Sequence, residues 1–303
     1  MNRRNTSGIL RIQTERPTQR LSLRGGFETV STGNLMILAN SQILWNRSLG
    51  EAYRCMGMAT GDAYKTARPG QFVMVKIDSG FAPLLRRPFS IHRLIDPGDG
   101  NAGIELLYKM VGPTTDQMGG LRPGDSLSLL GPLGRGFTVP PELSRTALVG
   151  GGIGIAPLVF LASGLIAASH GPDSIGVFLG GRSAADLLCA DDFSEMGLRV
   201  STTTDDGSVG EKGLVTGPLE RALATGDIQQ VYACGPLGML KGVAALAEKY
   251  QVACQVSIET IMACGMGACM GCAVKSKDTL EDRCRHACLD GPVFDAGQII
   301  LDH

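Results

Sequence analysis

Residues 146–158 read TALVGGGIGIAPL, which is a short apolar strand, a run of glycines and the beginning of a helix. A turn of this kind directs backbone N–H groups and the positive end of a helix dipole at a dinucleotide pyrophosphate. Gly151, Gly152 and Gly154 are the residues that we expect to approach such a ligand. The turn departs from the strict G-x-G-x-x-G pattern, so alone it does not distinguish a nucleotide site from an ordinary turn.

Strands and helices alternate on the C-terminal side of this turn. Short apolar strands are predicted at 175–179, 198–201 and 230–233, and a helix at 237–249. Such alternation is typical of βαβ units and predicts a parallel sheet. Cys234-Gly235-Pro236 ends the last of these strands, at the edge where a parallel sheet presents its ligands. A simple strand-ending turn is the alternative.

The N-terminal side of the glycine turn has a different pattern. Residues 70–130 alternate strand-like runs, such as 71–77 and 104–111, with Pro-Gly and Gly-Asp turns. Short strands at this spacing predict an antiparallel barrel or sandwich. Arg87-Pro88-Phe89-Ser90 opens a further strand, where an arginine fork can bind a phosphate and a serine hydroxyl can bind a flavin edge. A surface arginine before an edge strand is the alternative.

Cysteines are concentrated near the C-terminus. Cys264, Cys269 and Cys272 have the spacing C-x4-C-x2-C, and Cys284 and Cys288 follow. Three such cysteines with a distant fourth match the plant-type [2Fe–2S] arrangement. The intervening glycines allow a loop whose N–H groups point at the sulfurs. A structural zinc site is the alternative, although zinc sites more often pair two C-x2-C units. Spacing alone leaves the fourth ligand open.

The composition excludes several classes of protein. A net charge of −1 over 303 residues gives no broad electrostatic case for binding nucleic acid or an anionic membrane. The longest apolar run, 155–168, is interrupted and too short to span a bilayer. Residues 1–24 lack the apolar central region of a secretory signal, so we expect none, and the nine cysteines are an odd number. We therefore expect metal-binding thiols in a reducing compartment and a cytoplasmic protein.

The first thirty residues carry six arginines among serines and threonines. This composition resembles an organellar transit peptide. A disordered leader or a misplaced start codon is the simpler interpretation, and we expect residues 1–30 to be a disordered extension.

Four segments together resemble the ferredoxin–NADP reductase superfamily and, within it, the electron-transfer subunits of NAD-dependent dihydroorotate dehydrogenase. They are residues 85–91, the glycine turn, residues 233–236 and the cysteine tail, and the resemblance covers about residues 30–303. In that family the tail ends in Cys-x-Asp-Gly-Pro-Val-Phe, which residues 288–294 match. The resemblance therefore implies Cys288 as the fourth ligand and Cys284 as a spare.

The resemblance and the patterns together imply a multi-domain chain. An antiparallel β-barrel FAD domain is expected at 31–140, an α/β parallel-sheet NAD domain at 141–250 and a small [2Fe–2S] domain at 251–303. The implied cofactor-binding residues are Arg87, Pro88, Phe89, Ser90, Tyr108, Lys109, Val111, Gly112, Thr115, Gly151, Gly152, Gly154, Cys234, Gly235 and Pro236. The implied cluster ligands are Cys264, Cys269, Cys272 and Cys288. The family usually has Gly-x-Gly-Thr at residues 112–115, whereas this chain has Thr114 as the third residue.

The resemblance implies an oxidoreductase subunit that has no catalytic acid or base of its own. Electrons would pass from the FMN of a dihydroorotate dehydrogenase catalytic subunit, through [2Fe–2S] and FAD, to NAD⁺ for pyrimidine synthesis, in a heterotetramer with two copies of each chain. Alternatives are the corresponding subunit of an NAD(P)H:ferredoxin oxidoreductase, a bifurcating transhydrogenase or a sulfhydrogenase, and a zinc-stabilised binding module. The transhydrogenase type is expected to carry aspartate where this chain has Cys264. The sequence leaves NAD or NADP open, with Arg182 a candidate to bind a 2′-phosphate.

Overall fold

The computed structural model describes residues 11–12, 36–77, 83–96, 102–142, 145–168, 170–278 and 284–302. Most of the expected N-terminal extension, residues 1–30, therefore lies outside the described residues. Its described part is strand β1 (Arg11–Ile12), whose backbone pairs antiparallel with the next strand. None of the helices in the described part of the chain combines the length and the apolar character needed to cross a lipid bilayer.

The N-terminal half forms an antiparallel sheet. Besides β1, its described strands are β2 (Met36–Leu49), β3 (Tyr53–Thr60), β4 (Phe72–Lys76), β5 (Arg87–Ser90), β6 (Arg93–Ile95), β7 (Ala102–Lys109) and β8 (Ser126–Leu133). They are hydrogen-bonded in the order β5-β4-β8-β2-β3-β7-β6. Helix α1 (Pro113–Gly120) follows β7. The sheet is antiparallel, as the sequence predicts.

The sheet is curled. The segment Ile91-His92 forms backbone hydrogen bonds with residues beside β4 and in β7, which lie near opposite ends of the sheet. The Ile91 N–H donates to the Gln71 carbonyl at 3.0 Å, and the His92 N–H donates to the Glu105 carbonyl at 2.9 Å. The concave face holds an apolar core that includes Ile104, Leu106 and Tyr108. The curled sheet is therefore a half-barrel, which agrees with the predicted barrel at a coarse level.

Strand β7 is buried on both faces, although antiparallel strands often expose one face to water. Ile104 and Leu106 point into the half-barrel core, whereas Leu107 packs with apolar residues of the second half of the chain. The two halves therefore share an apolar contact along this strand.

The second half contains a mainly parallel sheet with helices packed on it. Its strands and helices, in chain order, are β9 (Thr146–Gly151), α2 (Ala156–Ala167), β10 (Ile175–Gly181), α3 (Ala190–Glu195), β11 (Arg199–Thr204), β12 (Glu211–Lys212), α4 (Thr216–Leu223), β13 (Gln230–Cys234), α5 (Leu237–Lys249), β14 (Ala253–Ser257), β15 (Ala273–Val274), β16 (Arg285–His286) and β17 (Val293–Asp295). The sheet has the order β12-β11-β10-β9-β13-β14-β17. The order reverses beside β9, so the glycine turn after β9 lies at the switch point where open α/β sheets bind ligands.

The parallel sheet extends beyond residue 250, where the sequence led us to expect a domain boundary. Strand β14 pairs parallel to β13, and β17 pairs antiparallel to β14. The cysteine-rich segment therefore begins and ends in the same sheet, with the small hairpin of β15 and β16 between. Strand β14 is as long as β13, but Gln255 and Ser257 interrupt its apolar residues, so it lacks the continuous apolar run that marks β9 and β13 in the sequence.

Candidate cofactor clefts and cysteine cluster

A first cleft of about 530 Å³ lies between the curled sheet and the parallel sheet. Its lining includes every residue that the resemblance implies for FAD: Arg87, Pro88, Phe89, Ser90, Tyr108, Lys109, Val111, Gly112 and Thr115. Gly154 and Cys234 reach the same cleft from the opposite side. The structure thus brings these residues together, and we call this space the first cleft.

Tyr108 is held rigidly in the wall of the first cleft. Its hydroxyl donates to Asn46 Oδ1 at 3.0 Å, and its ring meets the Phe89 ring edge-on, with 6.0 Å between centroids. Asn46 is fixed in turn, because its amide donates to the carbonyl of Met118 at 2.8 Å and of Leu121 at 2.9 Å. Burial raises the pKa of Tyr108 to about 12, so this phenol stays neutral.

The two adjacent arginines have different roles. Arg86 binds the sheet, donating to the Ser128 carbonyl at 3.0 Å and to the Ser128 hydroxyl at 2.9 Å. Arg87 is exposed, and its guanidinium donates, among the described residues, to the nearby carbonyls of Leu85 and Arg86 at 3.1 and 3.2 Å. Of the two, Arg87 therefore has its guanidinium available to a phosphate at the first cleft.

The N-terminus of α1 forms one wall of the first cleft. The hydroxyl of Thr115 accepts hydrogen bonds from the N–H groups of Val111 at 2.8 Å and Gly112 at 3.1 Å. The first turn of a helix leaves N–H groups without partners inside the helix, which suits an anionic ligand. Thr114, at the position of the family's second glycine, is only 6% exposed. Its side chain is therefore accommodated inside the protein.

A second cleft of about 810 Å³ lies along the carboxyl edge of the parallel sheet. Five of the residues that the sequence predicts for cofactor binding line it: Gly151, Gly152, Gly154, Gly235 and Pro236. Glycines leave its floor free of side chains. At residue 152 the backbone has φ of +51°, a left-handed conformation that glycine adopts without strain. We call this space the second cleft.

The two clefts meet at four residues that line both of them: Lys109, Ile153, Gly154 and Glu259. Glu259 is accessible to water from the clefts yet is surrounded by protein, and this burial raises the pKa of its carboxyl. Cys234 lies in the first cleft close by; burial, and secondarily the charge of Glu259, raise the pKa of its thiol to about 12. The Cys234 thiol is therefore neutral at physiological pH.

Sequence reasoning missed several residues of these clefts. Glu259 follows β14 at the sheet edge that also carries Cys234, so recognition of that strand would have revealed it. Asp186 and Tyr53 line the second cleft, but no local pattern marks either of them. Arg182 lies there with its side chain 79% exposed and its Nε 3.6 Å from the Asp186 carboxylate.

The cysteines implied as cluster ligands lie in one loop region. The Cys264 sulfur accepts hydrogen bonds from the N–H groups of Met266 and Cys269, each at 3.4 Å. The sulfurs of Cys272 and Cys288 lie 3.2 Å apart, and both residues are buried. Across the described ranges no three His, Cys, Asp or Glu side chains converge on one metal-ion position. The Cys272–Cys288 thiol pair and the neighbouring Cys264–Cys269 segment suit a [2Fe–2S] cluster, in which four thiolates are shared between two irons.

The loop backbone is arranged to stabilise a thiolate. Burial alone would raise the pKa of the Cys264 thiol, but the N–H groups of Met266 and Cys269 outweigh it and lower that pKa to about 7. Burial, together with the neighbouring Cys272 thiol, raises the pKa of Cys288 to about 12. Cys284 is exposed and precedes Arg285, at the end of the small hairpin that lies away from Cys272 and Cys288.

Two glycines of this loop fit only because they lack side chains. Gly265 and Gly267 have φ of +72° and +80°. A Cβ on Gly265 would lie 2.5 Å from the side chain of Met74 in β4, and one on Gly267 would lie 2.3 Å from Leu289. The cysteine loop therefore packs directly on the curled sheet, beside the first cleft.

Two sequence families match parts of the chain. Residues 259–300 match the iron-sulfur cluster binding domain of dihydroorotate dehydrogenase B. Residues 148–245 match an oxidoreductase NAD-binding domain. These segments contain the cysteine loop and the floor of the second cleft.

Solved structures with this architecture include an NADH-dependent reduced ferredoxin-NADP oxidoreductase, with a TM-score of 0.74 and 29% identity over 87% of this chain and 90% of that one. A ferredoxin NADP⁺ reductase from Neisseria gonorrhoeae, with bound FAD and NADP, has a TM-score of 0.58 and 17% identity over 70% of this chain and 91% of that one. The second likeness concerns the fold alone.

Similar sequences extend over most of the chain. The electron transfer subunit of dihydroorotate dehydrogenase B (NAD(+)) from Desulforamulus reducens is 39% identical over 241 residues, which are 80% of this chain and 90% of that one. The protein of the same name from Caldanaerobacter subterraneus subsp. tengcongensis is 38% identical over 237 residues, 78% of this chain and 89% of that one. With the cysteine loop and both clefts in place, this degree of identity shows that the chain belongs to the family of dihydroorotate dehydrogenase B electron transfer subunits.

Proposed function

We propose that this chain carries electrons from the FMN of a dihydroorotate dehydrogenase catalytic subunit, through a [2Fe–2S] cluster and FAD, to NAD⁺ in pyrimidine biosynthesis. The complex would be a heterotetramer with two copies of each chain. The observation that carries the proposal is the position of the first cleft. It is continuous with the second cleft at Lys109 and Glu259, and the cysteine loop packs beside it at Met74.

The first cleft would hold FAD. Arg87 and the first turn of α1 would bind its phosphates, and Tyr108 and Ser90 would contact the flavin. The fit is supported by the exposed guanidinium of Arg87 and by the hydrogen-bonded turn at Thr115. FAD supplies exchange between two-electron and one-electron chemistry.

The second cleft would hold the nicotinamide dinucleotide, with its pyrophosphate over Gly151 and Gly152 and its nicotinamide toward Gly154 and Cys234. The bare glycine floor supports this assignment, because side chains there would fill the cleft. The neutral Cys234 thiol would contribute shape and polarity rather than a charge.

Cys264, Cys269, Cys272 and Cys288 would hold the cluster. Support comes from the thiol pair of Cys272 and Cys288 and from the N–H groups directed at the Cys264 sulfur. Such hydrogen bonds stabilise thiolate ligands and influence the reduction potential. Oxidation of dihydroorotate would take place in the partner subunit.

The test is dihydroorotate-dependent NAD⁺ reduction by the anaerobically purified complex, with and without this chain. We expect activity only when the chain is present. The isolated chain should reduce an artificial acceptor with NADH but should not oxidise dihydroorotate. Turnover of dihydroorotate by this chain alone, or NAD⁺ reduction by a complex that lacks it, would contradict the proposal.

A second candidate is an NAD(P)H:ferredoxin oxidoreductase subunit. It is favoured by the 0.74 TM-score to the reduced ferredoxin-NADP oxidoreductase. A brown protein that oxidises NADH or NADPH with ferredoxin, and gives no dihydroorotate-dependent activity in its native complex, would support this candidate. Subunits of the transhydrogenase type are expected to carry aspartate at the first ligand position. This chain has Cys264 there, which counts against that subclass.

A further inference from the structure

One carboxylate, Asp186, connects the two halves of the chain at the wall of the second cleft. The Tyr53 hydroxyl donates to its Oδ1 at 2.5 Å, and the Lys109 ammonium lies 3.6 Å from the same oxygen. Tyr53 and Lys109 belong to the curled sheet, whereas Asp186 follows β10 of the parallel sheet. All three residues line the second cleft.

The curled sheet presents Tyr53 and Lys109 as a pair. They are direct cross-strand partners in β3 and β7, and the ammonium lies 4.9 Å from the centre of the phenol ring. The Tyr53 side chain is almost fully buried, and only 14% of the Asp186 side chain is exposed. The Lys109 ammonium is therefore held both by the tyrosine ring and by the carboxylate.

The surroundings favour the charged forms of both Asp186 and Lys109. The hydrogen bond from Tyr53 is the main cause that lowers the pKa of Asp186 below its usual value. The contact with Tyr53 is also the main cause that raises the pKa of Lys109 above its usual value. An ionised carboxylate thus faces a charged ammonium across the two halves of the chain.

Lys109 has a distinctive place among the charged residues. Across the described residues it is the only basic side chain that lines both clefts. FAD and NAD each carry a pyrophosphate, so two dinucleotides in adjacent clefts bring two anions close together. A cation held between them lowers their mutual repulsion, and it does so best when its position is fixed in advance.

We propose that Asp186 is a positioning residue for the nicotinamide dinucleotide: it holds Lys109 and Tyr53 in the wall of the second cleft, so that the ammonium stands between the two dinucleotide sites. The inference rests on the proposed function. It assigns to Asp186 an effect on nucleotide affinity that is separate from its effect on stability.

A matched control exists elsewhere in the same interface. Arg93 of the curled sheet forms a salt bridge with Asp192 of α3, so this pair also joins the two halves. About a third of each of these side chains is exposed, and neither residue lines a cleft. Loss of Asp192 therefore tests stabilisation of the interface without touching the wall of the second cleft.

The experiment measures the dissociation constants of NADH and NAD⁺ for the intact, flavin-loaded complex, by titration followed through flavin absorbance. We expect Asp186→Ala to weaken binding about tenfold, the effect of losing one hydrogen bond to a charged group. Asp186→Glu should recover most of this loss. Asp192→Ala should lower the thermal midpoint but leave both constants within about twofold of wild type.

A double-mutant cycle isolates the contact itself. Lys109→Met should weaken nucleotide binding by a similar factor. The double variant Lys109→Met/Asp186→Ala should have a dissociation constant at most about twofold above that of the single variant with the lower affinity. If Asp186→Ala does not fold, Tyr53→Phe removes only the hydroxyl that holds the carboxylate. That variant should weaken binding about threefold.

Two results would overturn the inference alone. One is an unchanged dissociation constant in Asp186→Ala, or in Tyr53→Phe if that variant replaces it. The other is an equal loss of affinity in Asp192→Ala. A wild-type complex that binds neither NADH nor NAD⁺ would instead overturn the proposed function and this inference together.

Discussion

A Cβ on Gly154 would lie 2.5 Å from the carbonyl oxygen of Cys234 and 2.5 Å from the N–H nitrogen of Gly235. The turns that end β9 and β13 therefore meet backbone to backbone. This contact brings the glycine turn and the Cys-Gly-Pro turn to one point, where the two clefts join.

Gly154→Ala should separate these two turns. The obstructing atoms are backbone atoms and have no rotamer by which to move, so we expect a loss of about 1–3 kcal/mol in stability. Affinity for NADH should fall at least tenfold, as measured by titration. Gly171→Ala is the control, because a Cβ there meets nothing within 4 Å. Equal nucleotide affinities in the two variants would contradict the assignment of the second cleft.

Thr115→Val should weaken the binding of FAD. The hydroxyl of Thr115 accepts from the N–H groups of Val111 and Gly112 and so shapes the turn before α1. Loss of two hydrogen bonds at a phosphate-binding turn should raise the FAD dissociation constant about tenfold or more. Thr115→Ser keeps the hydroxyl and should retain FAD. The measurement is the FAD-to-protein ratio after dialysis, and equal retention in both variants would refute the role of Thr115.

Cys288→Ser should abolish or strongly reduce cluster content, whereas Cys284→Ser should not. The Cys288 sulfur lies 3.2 Å from that of Cys272, while Cys284 is exposed at the opposite end of the small hairpin. The measurements are iron per chain and the visible absorbance of anaerobically purified protein. NADH-dependent reduction of an artificial acceptor should survive in both variants. A Cys284→Ser protein that keeps its FAD but contains no iron would show that the fourth ligand is assigned wrongly.

His92 should make the fold sensitive to mild acid. Its Nδ1–H donates to the Ala156 carbonyl at 2.9 Å, and burial lowers the pKa of its imidazole below the value of 6.5. The unfolded chain thus takes up a proton below pH 6.5 that the folded chain excludes, so stability falls as pH drops through that window. The slope is at most about 1.4 kcal/mol per pH unit for one proton.

His92→Asn removes the titration and keeps a donor for the Ala156 carbonyl. The variant should be less stable than wild type at pH 8, and the difference between them should narrow from pH 6.5 to pH 5. The thermal midpoint measured across this range tests the prediction. Parallel curves for the two proteins would show that His92 contributes nothing to acid sensitivity.

The sequence indicated the types of domain because their signals are local. A strand, glycines and a helix are adjacent in residues 146–158, and three thiols are separated by fixed short intervals in residues 264–272. Ligand geometry imposes such spacings within one loop. The sequence therefore sufficed to predict the antiparallel sheet, the parallel sheet and the family. The roles of individual residues stay predictions.

The membership of β14 in the parallel sheet was not predictable in this way. Its five residues form a strand because they lie beside β13, with Val231 opposite Cys254. Glu259 reaches the junction of the clefts only as a consequence of that pairing. The different roles of Arg86 and Arg87 were also not predictable from the sequence, because the contact of Arg86 with Ser128 joins residues 42 positions apart.

By itself, then, the sequence determined which short loops carry thiols and bare glycine backbone, because neighbouring residues create those features. Only the tertiary structure decided that Tyr53 meets Asp186, 133 residues away, and that Lys109 lies in the wall of both clefts. The physical reason is that hydrogen bonds and charges act over a few ångströms in space. Folding, not spacing along the chain, brings these groups within that range.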